Sequence, residues 1–100
     1  IMKIKVLVVD DSAVHVQLLK KYFNGSEKIE IVGSASNGEE SLRILEEGKV
    51  NFDILILDLV MPLLDGFDVL SYMNEHNIDK KVIVMTSFNE EETIRKAKTR

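Results

Sequence analysis

The stretch FDILILDLVMPLLDG, from Phe52 to Gly66, determines how the rest of this 100-residue chain is interpreted. Its apolar run, Ile54 to Leu57, ends on the carboxylate Asp58, and Pro62, the only proline of the chain, follows four residues later. A run of β-branched and leucine residues bounded by turn residues indicates a buried strand. In open α/β sheets, ligands bind at the carboxyl ends of the strands, so Asp58 is the first candidate functional residue.

Apolar runs alternate with helical patterns along the whole chain. Further short strands are predicted at Ile4 to Val9, Ile29 to Val32 and Val82 to Met85. Helices are predicted after the capping residues Ser12, Asn37 and Asp65, and a last one after Ser87 or Asn89. This β-α-β-α-β-α-β-α order favours an α/β fold, in which a doubly wound parallel sheet is covered by helices on both faces.

Each helix is expected to bury an apolar face. The residues assigned to these faces are Val14, Leu18, Leu19 and Tyr22 in the first helix, Leu42, Ile44 and Leu45 in the second, and Phe67, Leu70 and Met73 in the third. The two histidines, His15 and His76, lie at helical positions that we expect to be exposed, and the sequence gives neither of them a role.

Composition excludes several classes of function. The net charge of −4 counts against a general nucleic-acid surface, and the absence of cysteine excludes disulfides and thiolate metal sites. No apolar run approaches the length that spans a membrane, and the first residues lack the hydrophobic region of a signal peptide. We therefore expect one domain over residues 1–100, located in the cytoplasm.

Three of the predicted strands end in polar residues. The first is followed by Asp10 and Asp11, the third ends on Asp58, and the fourth is followed by Thr86 and Ser87. If these strands are neighbours, three carboxylates and a hydroxyl meet in one cleft. Carboxylates that lie so close repel each other and require a cation, and an all-oxygen ligand set favours Mg²⁺ over Zn²⁺. A carboxylate beside Mg²⁺ and a hydroxyl is a reasonable phosphoryl acceptor.

The three segments VVDDS, LILDLVMPLLDG and VIVMTS together resemble the receiver domain of two-component response regulators. The resemblance implies a flavodoxin-like fold with strand order 2-1-3-4-5 and three layers, α/β/α. It implies that Asp58 is phosphorylated and helps to hold Mg²⁺, together with Asp10, Asp11 and the backbone carbonyl of Val60. Asp11 would be the direct ligand, while Asp10 would act largely through water. Thr86 would be the hydroxyl that moves toward the phosphoryl group.

The resemblance also implies partners and shows one departure. A receiver takes its phosphoryl group from a sensor histidine kinase or a phosphotransfer protein, and it switches an effector domain or partner protein. The family's fifth strand, which carries a lysine, and its last helix have no counterpart before Arg100, so we expect a receiver that is incomplete at its carboxyl end. The strand Val82 to Met85 would then be an exposed edge through which copies of the chain associate.

Other functions remain open on the sequence alone. A receiver-fold interaction domain that is not phosphorylated is the main alternative, because the fifth-strand lysine is absent. A hydrolase with an aspartate nucleophile needs a second acid two residues later, where this chain has Val60. Asp10 and Asp11 alone are equally a solvated turn, and Thr86 and Ser87 alone are more often a helix cap than a switch.

Overall fold

Strands and helices alternate along residues 2–85, which are the residues that the computed structural model describes. The strands are β1 (Ile4–Val9), β2 (Ile29–Ala35), β3 (Ile54–Asp58) and β4 (Lys81–Met85). The helices are α1 (Ala13–Phe23), α2 (Gly38–Glu47) and α3 (Gly66–Glu75). The helix predicted after β4 lies outside the described residues. No helix within residues 2–85 is long and apolar enough to cross a membrane.

The strands form one parallel sheet in the order β2-β1-β3-β4. This order confirms the predicted doubly wound, flavodoxin-like sheet. Val9 of β1 lies opposite Leu57 of β3, so Asp10 follows its strand next to Asp58, the last residue of the neighbouring strand. Because both strands run in the same direction, the two carboxylates share one edge of the sheet.

Two apolar layers cover the sheet, one on each face. The layer beneath α2 and α3 is built from buried residues that include Leu7, Val9, Leu55, Leu57, Val69 and Met73. The layer beneath α1 contains Val6, Val8 and Val16. The predicted face of α2, formed by Leu42, Ile44 and Leu45, packs against the first layer, as expected. The predicted arrangement of helices on both faces is therefore confirmed.

The buried face of helix α1 includes only one of the four predicted residues, Leu19. Its buried residue is Val16, and Leu19 packs partly against the same layer. Val14, Leu18 and Tyr22 are instead 67%, 59% and 80% exposed. The helix carries two apolar rows, and the chain enters it from the end of β1 at a rotation that turns only one of them to the sheet. We call the outward row Val14, Leu18 and Tyr22 the α1 stripe.

Strand β2 continues beyond its predicted end at Val32 as far as Ala35. Its pairing with β1 shifts register between Val6 and Leu7, and Gly33 lies opposite Leu7. If residue 33 carried a Cβ atom, this atom would lie 3.4 Å from Cδ1 of Leu7. Glycine within a strand often marks such an irregularity rather than the end of the strand.

The buried face of α3 is also partly different from the prediction. Val69 and Met73 are buried, and Leu70 packs against the same core from its margin. Phe67 is only half-buried. Val69, which the sequence analysis left out, is therefore the residue that anchors the first turns of this helix, because it lies four residues before Met73 on one helical face.

Candidate functional site

Asp10, Asp11 and Asp58 come together at the carboxyl edge of the sheet. Each of them offers a carboxylate oxygen, and these oxygens lie within 4.8 Å of one another. Asp10 and Asp58 are buried, while Asp11 is exposed and opens the cluster to solvent. The structure thus brings together the three acidic residues that the sequence nominated. Thr86, the nominated switch hydroxyl, lies outside the described residues.

Backbone N–H groups orient the two buried carboxylates. The N–H of Ser12 donates to Oδ1 of Asp10 at 2.8 Å, and the N–H of Val60 donates to Oδ1 of Asp58 at 3.0 Å. Asp10 is further fixed by its own N–H, which donates to the carbonyl of Ala35 at 3.1 Å. Both side chains are therefore held by the turns that follow their strands.

The electrostatics of the cluster are unfavourable without a cation. The pKa of Asp58 is raised to about 6, mainly by burial, with smaller contributions from the negative charges of Asp10 and Asp11 and from a hydrogen bond with Asp11, while the Val60 N–H opposes the shift. A hard cation would relieve this repulsion, since its charge favours the ionised form of all three carboxylates. The oxygen-only donor set and the close spacing fit Mg²⁺.

The raised pKa of Asp58 leads to a prediction about stability. In the folded chain this carboxyl holds its proton up to about pH 6, whereas in the unfolded chain it loses the proton near its ordinary value of 3.8. Raising the pH through this window therefore destabilises the metal-free folded state relative to Asp58→Asn, by about 3 kcal/mol once the pH is well above 6. Urea unfolding of both proteins between about pH 4 and pH 7.5 measures this difference. A constant difference across that range would contradict the prediction.

The loop between β3 and α3 packs closely against Asp58. Gly66 donates its N–H to the carbonyl of Leu59 at 3.2 Å, and a Cβ on Gly66 would lie 2.5 Å from the Asp58 carbonyl oxygen. Asp65, fully buried, caps α3 by accepting from the N–H of Asp68, whose side chain accepts from Asp65 in return. This capping box confirms the predicted start of the helix and fixes the loop.

His15 is a residue near the site to which the sequence analysis gave no role. Its Nδ1 lies 3.2 Å from Oδ2 of Asp10, and its side chain is 35% exposed. The sequence feature that could have indicated this contact is the position of His15 in the first turn of a helix that begins just after Asp10 and is capped by Ser12. Whether that turn aims residue 15 at the carboxylate depends on the rotation of α1, which the sequence pattern misassigned.

The fold and the acidic edge together define an α/β domain with a cluster of three carboxylates at the ends of neighbouring parallel strands. The profile of the response regulator receiver domain matches residues 6–100. The chain belongs to this family of receiver domains. This finding confirms the resemblance drawn from the three sequence segments.

Two curated proteins and one solved structure show the range of similar chains. The uncharacterized transcriptional regulatory protein YhcZ of Bacillus subtilis is 34% identical over 90 residues, which are 90% of this chain and 41% of that protein. Protein-glutamate methylesterase/protein-glutamine glutaminase 1 of Syntrophomonas wolfei is 38% identical over 89 residues, 89% of this chain and 24% of that protein. The chain thus spans less than half the length of both relatives.

The solved structure is the CheX-CheY-BeF3-Mg²⁺ complex from Borrelia burgdorferi, with a TM-score of 0.75 and 34% identity. The match covers 92% of this chain and 68% of that chain. The likeness thus extends over nearly the whole chain and supports the α/β fold described above. The methylesterase relative is matched over only 24% of its length, so its name says nothing about catalysis by this chain.

Proposed function

We propose that this chain is a phosphorylation-activated signalling receiver that takes a phosphoryl group onto Asp58 from a sensor histidine kinase or phosphotransfer protein. The observation that carries the proposal is the meeting of Asp10, Asp11 and Asp58 within 4.8 Å at the carboxyl edge of the sheet. The BeF3 and Mg²⁺ named in the similar Borrelia burgdorferi complex support it. We further propose that the chain has no enzymatic output of its own and acts in the cytoplasm on an effector or partner protein.

The transfer step follows from the contacts of Asp58. Oδ1 accepts the Val60 N–H, so we assign Oδ2 as the atom that attacks phosphorus. A new P–O bond forms to Oδ2 while the P–N bond of the donor phosphohistidine breaks, and the imidazole leaves with the bonding pair and takes up a proton. Mg²⁺, held by Asp10, Asp11, Asp58 and the Val60 carbonyl, would neutralise charge on the transferring group. Thr86 would bind one of its oxygens.

The direct test is intact mass after incubation with acetyl phosphate and Mg²⁺. We expect one phosphate adduct, which disappears when EDTA removes the metal and becomes weaker in Asp11→Asn, because that variant loses a cation ligand. His76→Ala is a suitable control, since the hydrogen bond and the ring stacking recorded for the His76 side chain are both with Tyr72. If the wild-type chain gives no adduct at any Mg²⁺ concentration, the receiver-fold interaction domain replaces this proposal.

The α1 stripe supports a helical protein as the phosphoryl donor. Val14, Leu18 and Tyr22 are spaced four residues apart and exposed, and they run along α1 away from the acidic cluster. Such a row matches the apolar seam that one helix presents to another. A donor helix that packs on the stripe would bring its histidine toward the end of α1 at which Asp58 lies.

Leu18→Glu is expected to separate docking from chemistry. The donor for this test is a histidine kinase that phosphorylates the wild-type chain. A charge in the middle of the α1 stripe should slow phosphoryl transfer from this kinase about tenfold or more, because burying an unpaired charge in the docked complex costs more than about 1 kcal/mol. Labelling by acetyl phosphate should be unchanged, since the small donor needs no helix contact. Lys21→Glu, on the same helix but outside the stripe, is the control. If Leu18→Glu slowed phosphorylation by the kinase and by acetyl phosphate equally, the docking role of the α1 stripe would be contradicted.

Strand β4 gives limited support to association between copies. Within residues 2–85 it pairs only with β3, and its residues Ile83 and Val84 are 50% and 44% exposed. An apolar strand with an unpaired side is prone to pair with another chain. Sedimentation at increasing concentration tests this part of the proposal, and a monomer throughout would exclude it.

A further inference from the structure

Three hydrogen bonds join Asp10, Ser12 and His15 into a closed ring at the start of α1. The N–H of Ser12 donates to Oδ1 of Asp10 at 2.8 Å, and the N–H of His15 donates to Oγ of Ser12 at 3.2 Å. The His15 side chain then returns to Asp10, with Nδ1 lying 3.2 Å from Oδ2. Both oxygens of this carboxylate are therefore held by residues of one helical turn.

We propose that His15 is a positioning residue for the cation site, because it fixes the Asp10 carboxylate in the orientation that faces Asp11 and Asp58. This inference rests on the proposed function, since it assumes that the three carboxylates hold Mg²⁺. It adds a residue that the resemblance to receiver domains did not nominate.

The chemistry of the two side chains determines which of them donates the hydrogen bond between His15 and Asp10. An ionised carboxylate only accepts hydrogen bonds, so Nδ1 of His15 carries the hydrogen and donates it to Asp10. The side chain of Asp10 is 5% exposed, so water cannot easily replace a lost donor. Without His15, Oδ2 of this buried carboxylate would lack its partner, and only the Ser12 N–H bond to Oδ1 would restrain the orientation of the carboxylate.

Orientation of this kind affects cation binding more than it affects folding. A carboxylate that is already aligned needs no reordering when the ion arrives, and loss of such outer partners typically weakens metal binding 10-fold to 100-fold. Because Asp10 is expected to act largely through water, its orientation matters: it has to accept from a water bound to Mg²⁺. The Ser12 N–H fixes one oxygen, and His15 fixes the other.

The test is Mg²⁺ titration of His15→Ala and His15→Asn by isothermal titration calorimetry, with all variants measured in the same buffer at the same pH. We expect His15→Ala to raise the Kd for Mg²⁺ by about tenfold. We expect His15→Asn to restore the Kd to within about threefold of wild type, because the asparagine amide nitrogen takes the place of Nδ1. Alanine is a better helix former than histidine, so weaker binding by His15→Ala is not explained by a weakened helix.

Matched controls make each outcome decisive. His76→Ala removes the other histidine, whose Nδ1 contacts the backbone carbonyl of Tyr72, and it should leave the Kd unchanged. If His15→Ala binds Mg²⁺ like the wild-type chain, while Asp11→Asn does not, the inference is overturned and the proposed function stands. Failure of His15→Asn to restore binding would also overturn it, since the hydrogen-bond donor would not be what matters. No Mg²⁺ binding by the wild-type chain would overturn both.

Discussion

Asp58→Asn is expected to abolish phosphoryl labelling of the chain while leaving the fold intact. The amide is nearly the same shape as the carboxylate, so the buried end of β3 keeps its packing and can keep the hydrogen bond from the Val60 N–H. The amide oxygen is a poor nucleophile toward phosphorus, however, and we expect labelling to fall below detection, at least 100-fold. Intact mass after treatment with acetyl phosphate and Mg²⁺ measures this effect.

The same variant should be more stable than the wild-type chain at neutral pH and without metal, because it removes one of three charges that repel each other. Asp53→Asn is the matched control, since Asp53 is an exposed aspartate whose carboxylate accepts from the Lys5 N–H at 2.8 Å. It should label like the wild type. Labelling of Asp58→Asn at the wild-type level would show that a different side chain, for example Asp11, is the acceptor.

Gly66→Ala is expected to destabilise the chain by about 2–3 kcal/mol, in the upper part of the range of about 1–3 kcal/mol that is typical when a tightly packed site is overfilled. The added Cβ would lie 2.5 Å from the Asp58 carbonyl oxygen and 2.7 Å from the Leu59 Cα. Both are backbone atoms, so the clash is relieved only if the end of β3 or the start of α3 moves. The higher helix propensity of alanine, about 1 kcal/mol, is not enough to compensate. Urea unfolding measures the loss.

Gly33→Ala is the control for this prediction. A Cβ at Gly33 would make an ordinary contact, 3.4 Å from Cδ1 of Leu7, so the change in unfolding free energy should stay within about 1 kcal/mol. Gly66→Ala should also weaken Mg²⁺ binding, because any movement of the loop shifts Asp58. Equal stability of the two variants would mean that the β3–α3 loop adjusts freely, contrary to the packing described above.

The sheet and its acidic edge were predictable from the sequence because both depend on local patterns and on strand order. Short apolar runs that end in Asp10 and Asp58 identify the strands, and the alternation with helices makes the sheet parallel. The carboxyl ends of parallel strands then share an edge, while the strand order that makes β1 and β3 neighbours was implied by the resemblance to receiver domains. The three carboxylates are brought together as this reasoning requires.

The features that the sequence did not predict depend on the rotation of helix α1 and on tertiary contacts, and the pattern of apolar residues does not specify either. Helix α1 has two apolar rows, and the spacing of Leu18 and Tyr22 favoured the row that faces solvent. The contact of His15 with Asp10 could not be predicted for the same reason, since it follows from the rotation of that helix. The continuation of β2 through Gly33 depends on its pairing with β1, which the sequence does not display.

Within residues 2–85, Asp10 and Asp58 lie at the ends of β1 and β3, the two inner strands of the described sheet, and this position affects how the domain fluctuates. Strands β1 and β3 carry the fully buried residues Leu7, Leu55 and Leu57, whereas β2 and β4 flank them. Local opening of a protein usually begins at its margins, and the best-packed strands open last, in amide hydrogen exchange as in proteolysis. The relative positions of Asp10 and Asp58 are therefore expected to persist while strand β2, at the margin of the described sheet, opens.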